Sequence, residues 1–318
     1  MKSNKRTVAV IGVGHVGAHC AYAMAIQGVA DEIVLLDMNR QKALSECQDL
    51  MDTSVYYPQR VTFRVGDFSD LKDCAVIVNS VGDINILRGS TERCKEMEFT
   101  IHAVNGYMDK VRESGFDGVI INITNPCDVV TWRVAQMAGL PRGRVFGTGA
   151  ALDTARLRSI LAQKTGYDPH SVTGYMLGEH GGSQMVAWST VAFGGKRLAE
   201  CDPADPRFSF DREQVRLETV GAGWETFKGK FCTEYGIAST MASLVKAVLD
   251  DEKRIMPVSG PLNGEYGEYD MFTGVPAVVG ANGVEEIIEV PLTEEEKAAF
   301  SETCRVVRAN METASKIK

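Results

Sequence analysis

The β-branched run Thr7-Val8-Ala9-Val10-Ile11 leads straight into Gly12-Val13-Gly14-His15-Val16-Gly17, and a helical pattern over 18–27 follows, closed by Gly28. Pieces in that order commit a chain to one supersecondary unit. A short unbroken apolar run reads as a strand buried on both faces. The first glycine permits a tight turn, the second lets a pyrophosphate approach the backbone, and the third lets helix and strand pack closely. The helix N-terminus then offers free N–H groups and a positive dipole end to an anion. Gly12, Gly14, Val16 and Gly17 are therefore candidate contacts for a dinucleotide. A second strand, 32–36, ends in Asp37, twenty residues after Gly17, where a carboxylate can meet the adenosine ribose hydroxyls. An acid there repels a 2′-phosphate and favours NAD. Arg40 keeps NADP as the competing reading.

The alternation continues with a helix over 41–51, strands over 61–65 and 75–80, a helix over 100–114 and a strand over 118–124. Such alternation predicts a parallel sheet with helices on both faces. Ligands of these sheets bind beyond the carboxyl ends of the strands. Gly82 and Asn125 both fall just past such ends. Pro126 disfavours a helical conformation at Asn125, which holds its amide as a donor toward a bound ring or substrate. Further on, 172–177 and 184–193 read as extended, 213–227 as a helix kinked at Gly221 and Gly223, and 233–249 as a small-residue helix touching another element or subunit. Strands 275–279 and 285–290 read as a small antiparallel sheet, and Thr293 with Glu296 as a capping box. The expected class is α/β: an N-terminal Rossmann parallel sheet over 1–147 and a C-terminal α+β substrate domain over 148–318, with no linker near Gly147-Thr148-Gly149.

Composition narrows the function. A net charge of −8 without a basic patch argues against nucleic acid. No apolar run approaches the roughly 20 residues of a membrane span. The eight cysteines are scattered without a C-x-x-C pair, which reads as reduced thiols in the cytoplasm. His15 and His19 have a metal-site spacing but no third ligand, so no metal is expected.

The chemistry centres on Gly178-Glu179-His180-Gly181-Gly182, where His180 can serve as a general acid or base. Asp153, within Leu152-Asp153-Thr154-Ala155-Arg156, can orient it, and Arg156 can hold an anionic substrate. The long stretch 82–93 between a strand and a helix reads as a lid, and Arg93 at its far end could close onto a substrate carbonyl.

Gly12-x-Gly14-x-x-Gly17, Asn125-Pro126-x-Asp128, Gly147-Thr148-Gly149, Leu152-Asp153-Thr154-Ala155-Arg156 and Gly178-Glu179-His180-Gly181 stand in the order of the L-lactate/malate dehydrogenase family, which the chain resembles over nearly its whole length. Within that family it looks most like the L-2-hydroxyisocaproate dehydrogenases. The resemblance implies an NAD-dependent L-2-hydroxy acid dehydrogenase in which His180 protonates the carbonyl of a 2-oxo acid and Asp153 fixes its tautomer. By the same resemblance Arg156 grips the carboxylate, Arg93 stabilises charge on the carbonyl oxygen, Asn125 donates a further hydrogen bond, and Thr233 and Ile237 wall the pocket. It also implies a homotetramer. Where lactate dehydrogenases carry A-P-Q-K-P-G-E-T-R, this lid is two residues longer and lacks both prolines, and Leu87 stands at the position that reads the substrate tail. An apolar residue there favours branched 2-oxo acids of the 2-oxoisocaproate type. A one-residue slip brings in Arg88 and a malate-like reading, and lactate is the other alternative. An NAD- and metal-dependent glycosidase would need a Cys/His metal pair, and a non-catalytic NAD-binding protein would have no need of His180, Asp153, Arg156 and Arg93 together.

Overall fold

The computed structural model describes residues 6–87 and 93–317. The first half runs β1 (Thr7–Ile11), α1 (His15–Ile26), β2 (Glu32–Leu36), α2 (Arg40–Asp52), β3 (Thr62–Val65), β4 (Val76–Asn79), α3 (Arg93–Glu113), β5 (Val119–Asn122), α4 (Cys127–Ala138) and β6 (Val145–Gly147). These six strands pair in parallel in the order β3-β2-β1-β4-β5-β6. Strand side chains alternate between faces, and the cores follow that period. Val8, Val10, Ile33 and Leu35 enter the core beneath α1 and α2. Ala9, Ile11, Val34 and Leu36 enter the one beneath α3 and α4. With both faces covered, the strands need apolar residues throughout, which is why β1 reads as an unbroken run.

The second half continues with α5 (Ala151–Thr165), β7 (Val172–Thr173), β8 (Met176–Leu177), β9 (Met185–Val186), β10 (Ala192–Phe193), β11 (Lys196–Arg197), α6 (Arg212–Lys230), α7 (Tyr235–Leu249), β12 (Arg254–Leu262), β13 (Met271–Gly280), β14 (Gly283–Ile287) and α8 (Glu294–Ala314). The fold is the expected α/β class, but the C-terminal strands differ from expectation. β7, β10 and β11 form a small three-stranded sheet and β8 and β9 a two-stranded one, but β13 and β14 form no separate sheet: β12 joins β6, and the order β14-β13-β12-β6 extends the parallel strands into one nine-stranded sheet. The sequence reading missed β12 because Pro257 and Pro261 argue against an interior strand. Pro257 stands opposite Pro276 in the ladder, and β6 meets β12 through the single pair Ser259–Gly147, between the two prolines.

Two other elements depart from expectation, and a third, α7, meets another element as expected. α3 begins at Arg93, seven residues before 100. α6 passes through Gly221 and Gly223 as one helix. The small residues of α7 pack within the chain, against α1. Thr293 does form the capping box of α8, with its side chain on the Glu296 N–H. Among the described residues no helix is long and apolar enough to cross a membrane, and no cluster of His, Cys, Asp or Glu could hold a metal.

Candidate active site

The glycine turn, Asp37, Gly82 and Asn125 all lie just past the carboxyl ends of parallel strands. The glycine turn follows β1, Asp37 follows β2, Gly82 follows β4 and Asn125 follows β5. The three glycines have different reasons to be glycine. Gly12 takes φ +89°, and a Cβ there would meet the Ser80 carbonyl oxygen at 2.6 Å. A Cβ at Gly17 would lie 2.0 Å from the Gly12 carbonyl oxygen. A Cβ at Gly14 would meet nothing within 4 Å, so the protein itself does not require glycine there. That open cradle at the N-terminus of α1 fits a dinucleotide's diphosphate approaching the backbone. Asp37 is half-buried over the turn. Its Oδ2 accepts from the Val13 N–H at 2.9 Å and its Oδ1 from the Asn39 N–H at 2.8 Å. The carboxylate thus also ties β2 to the glycine turn.

Asn125 leads into α4 through a cis bond to Pro126. A buried amide network that sequence reasoning did not find supports the strand ends on either side. Asn79 Nδ2 donates to Asn122 Oδ1 at 2.8 Å, Tyr107 donates to Asn79 Oδ1 at 2.6 Å, and Thr124 donates to the Val81 carbonyl at 2.9 Å. Its members span 79–124, and each alone looks like a strand-end polar residue.

The catalytic candidates come together on α5 and the loop after β8. Asp153 lies in the first turn of α5, where an acid suits the helix dipole, and Arg156 follows one turn later on the same face. Asp153 is almost wholly buried and divides its two oxygens. His180 Nδ1 lies 2.7 Å from Oδ2, and Arg156 Nη1 donates to Oδ1 at 2.9 Å. Burial pushes the Asp153 carboxyl up, but the charges and hydrogen bonds of His180 and Arg156 outweigh it and hold the group below the ordinary carboxylate range. An ionised carboxylate only accepts, so His180 carries its proton on Nδ1 and turns Nε2 away from Asp153. Burial likewise pulls the His180 imidazole down, and Asp153, helped by Asp128, overrides it and raises the pKa above 6.5.

The His180 loop is fastened at its backbone. Gly178, at φ +90°, exchanges two hydrogen bonds with Gly274 of β13, each 2.9 Å. The Glu179 N–H donates to Thr303 Oγ1 of α8 at 2.9 Å. The His180 N–H donates to Asp128 Oδ2 at 2.8 Å, and Ser259 of β12 donates to Asp128 Oδ1 at 2.5 Å. Burial raises the Asp128 carboxyl to about 6, against those hydrogen bonds and the His180 charge. Asp128 stood in the quoted Asn-Pro-x-Asp motif without a role. Ser259 and Thr303 gave no local signal.

Arg156 Nη2 donates to Thr233 Oγ1 at 3.4 Å, which sets Thr233 beside the guanidinium. Gly223 of α6 lies against the same group: a Cβ there would be 3.3 Å from Nη1. Ile237 is half-buried in the first turn of α7. Leu87 ends a short 3-10 turn, Ile84–Leu87, and Arg93 begins α3, but both side chains lie outside the described residues. The lid residues 88–92, Arg88 among them, lie outside them altogether.

Comparison with known proteins gives the family. Residues 6–147 match the NAD binding domain of lactate/malate dehydrogenase, and residues 150–318 its alpha/beta C-terminal domain. The chain belongs to the lactate/malate dehydrogenase family. An L-lactate dehydrogenase 1 of Bifidobacterium longum is 43% identical over 311 residues, covering 97% of this chain and 98% of that protein. Two solved structures superpose closely. A lactate dehydrogenase from a Medee basin deep-sea metagenome library has a TM-score of 0.93 at 34% identity, covering 98% of this chain and 99% of that one. The ligand-bound minor L-lactate dehydrogenase of Enterococcus mundtii has a TM-score of 0.90 at 38% identity, with coverage of 98% and 99%. As a member of this family the protein is an oxidoreductase that uses NAD and acts on small 2-oxo or 2-hydroxy acids. The narrower likeness to L-2-hydroxyisocaproate dehydrogenases finds no support among these relatives, which carry the lactate name.

Proposed function

We propose that this member of the family interconverts pyruvate and L-lactate. The observation that carries the mechanism is the single buried carboxylate of Asp153, held between an imidazole and a guanidinium. Bound NADH supplies the hydride to the carbonyl carbon. His180, protonated through its contact with Asp153, gives the Nε2 proton to the carbonyl oxygen. In the reverse direction the neutral imidazole takes the hydroxyl proton. Arg156 grips the substrate carboxylate with a two-pronged contact that a lysine cannot reproduce. Asn125 donates a further hydrogen bond, Arg93 stabilises charge on the carbonyl oxygen as the lid shuts, and Thr233 and Ile237 wall the pocket. Gly12, Gly14, Val16, Gly17 and Gly82 line the coenzyme's path along the strand ends, and Asp37 takes the ribose hydroxyls.

Lactate dehydrogenases among the relatives that span nearly the whole chain support pyruvate as substrate. The branched-chain reading rests on Leu87, and the malate reading on Arg88. The test is kcat/KM for pyruvate, 2-oxoisocaproate and oxaloacetate with NADH under one condition, and pyruvate should lead. A lead for 2-oxoisocaproate would restore the branched-chain reading, and a lead for oxaloacetate would place Arg88 in the pocket. No reaction with any would reopen a non-catalytic NAD-binding role. We place the enzyme in the cytoplasm as a tetramer. Seven described cysteines, all free, support the first. The family resemblance supports the second.

A further inference from the structure

His15 lies inside the glycine turn, yet none of the roles above uses its side chain. It is the first residue of α1, and its side chain is 64% exposed. Its Nδ1 lies 3.4 Å from Glu234 Oε1, across 219 residues of sequence. Glu234 is unusual in its own right. Its side chain is only 11% exposed, and although it occupies the N-cap position of α7, it makes no capping hydrogen bond. The carboxylate is turned instead toward Lys230 at the end of α6 and His15 at the start of α1. Burial pushes this carboxyl up, but Lys230, His19 and Cys232 hold it below its usual range. Lys230 also sits over the Tyr235 ring at 3.9 Å, and Tyr235 meets His19 edge-on at 5.5 Å.

Lys230 is four residues from Glu234 and is a local partner. His15 is the partner that comes from the coenzyme turn. The residue before Glu234 is Thr233, whose hydroxyl accepts from Arg156. Between α6 and α7 the backbone is irregular: Phe231 takes φ +64° and Glu234 takes φ −121°, ψ −65°. With no helix to set it, this short segment takes its place from its side-chain contacts, so whatever fixes Glu234 also fixes Thr233. A dinucleotide diphosphate at the N-terminus of α1 would put the imidazole between two anions. One ring nitrogen then faces Glu234 and the other is free for the diphosphate, so the ring links the two.

We propose that Glu234 is a positioning residue, clasped by His15 when a dinucleotide fills the glycine turn, and that through Thr233 it sets Arg156 for the substrate carboxylate. This rests on the reading of Arg156 as the carboxylate clamp. Coenzyme and substrate sites are then coupled through one side-chain pair, and the coupling must be reciprocal.

The test is a double-mutant cycle on the full chain with Glu234→Gln and His15→Asn, using whichever of the three 2-oxo acids the unmodified enzyme reduces fastest. Each single variant should raise the substrate KM about three- to tenfold at saturating NADH, with a smaller change in kcat, and raise the NADH Kd by a similar factor. The double variant should be no worse than either single. Multiplying effects would mean that the two residues act separately, and an unchanged KM in Glu234→Gln would mean that it positions nothing. Either result overturns the proposal. Lys230→Met is the control for a purely structural role: if it reproduces the KM shift and His15→Asn does not, the proposal also fails. If the unmodified enzyme reduces none of the three acids, the functional reading has failed instead. The clasp is then still read in NADH affinity, where the double variant should match the singles and multiplying effects would again overturn it.

Discussion

The coenzyme turn and the catalytic cluster solve their problems in opposite ways. The turn is local: Gly12 to Asp37 lie within one strand-helix-strand unit, and backbone shape does the work through the 2.0 Å clearance at Gly17 and the open space at Gly14. The catalytic cluster is assembled from afar. Asp128 is 52 residues from His180 and 131 from Ser259, and Asp153 is 27 from His180. Its arrangement balances charge in a buried setting. Backbone sites therefore tolerate little change in shape, and electrostatic sites tolerate little change in charge.

Substitutions can test that division. The largest expected effect is in the cluster. His180→Asn should lower kcat by at least about a hundredfold while leaving NADH binding intact, read by fluorescence titration beside turnover. Near-normal turnover would remove His180 from the chemistry. Arg156→Lys keeps the charge but loses the fork. It should lower kcat/KM by about 10- to 150-fold, the loss of roughly 1.5–3 kcal/mol from a charged hydrogen-bonded contact.

Within the turn, the two glycines should separate folding from binding. Gly17→Ala drives a Cβ into a backbone carbonyl and should lower the melting temperature, at a cost of about 1–3 kcal/mol. Gly14→Ala should leave melting unchanged and weaken NADH binding roughly 5- to 150-fold, if a diphosphate meets the same degree of overpacking. Equal melting temperatures for the two variants would erase the distinction.

The cluster's charge balance should also appear in pH profiles. Because Asp153 raises the His180 pKa above 6.5, the protonated form needed for reduction persists above that pH. The reduction rate should hold at lower pH and fall as pH rises through the folded-state value, while oxidation shows the reverse limb. The same sign applies to stability: the His180–Asp153 contribution is full below 6.5 and is lost as pH rises through the raised pKa. Asp153→Asn should move the reduction limb to lower pH. An unmoved limb would mean that another group titrates. The smallest effect should come from Asp37→Ser, which should shift the NADPH-to-NADH ratio of kcat/KM upward by about tenfold. No shift would mean that the ribose is read elsewhere.

Legibility in the sequence followed the same division. The turn, Asp37 and the alternating first half could be read because each signal lies within a few residues of the structure it specifies. The pairing of His180 with Asp153 and Arg156 was legible through motifs, but the support for His180 was not. Asp128, Gly274 and Thr303 reach that loop from α4, β13 and α8, with Ser259 of β12 behind Asp128, and none carries a local mark of the contact. β12 was hidden because its prolines contradict strand propensity, and only its neighbours in the sheet make them tolerable. His15 and His19 have a metal-site spacing from which no metal was expected, but the spacing gave no sign that His15 faces a glutamate 219 residues away.

By itself, then, the sequence determined the parallel α/β half and the dinucleotide turn and proposed His180 as the acid/base, because strand period, glycine stereochemistry and side-chain chemistry are properties of neighbouring residues. Only the tertiary structure decided that nine strands form one sheet, that Asp153 serves His180 and Arg156 at once, and that Glu234 reaches the coenzyme turn. Those outcomes depend on desolvation and on distances between remote segments, and neither exists until the chain has folded.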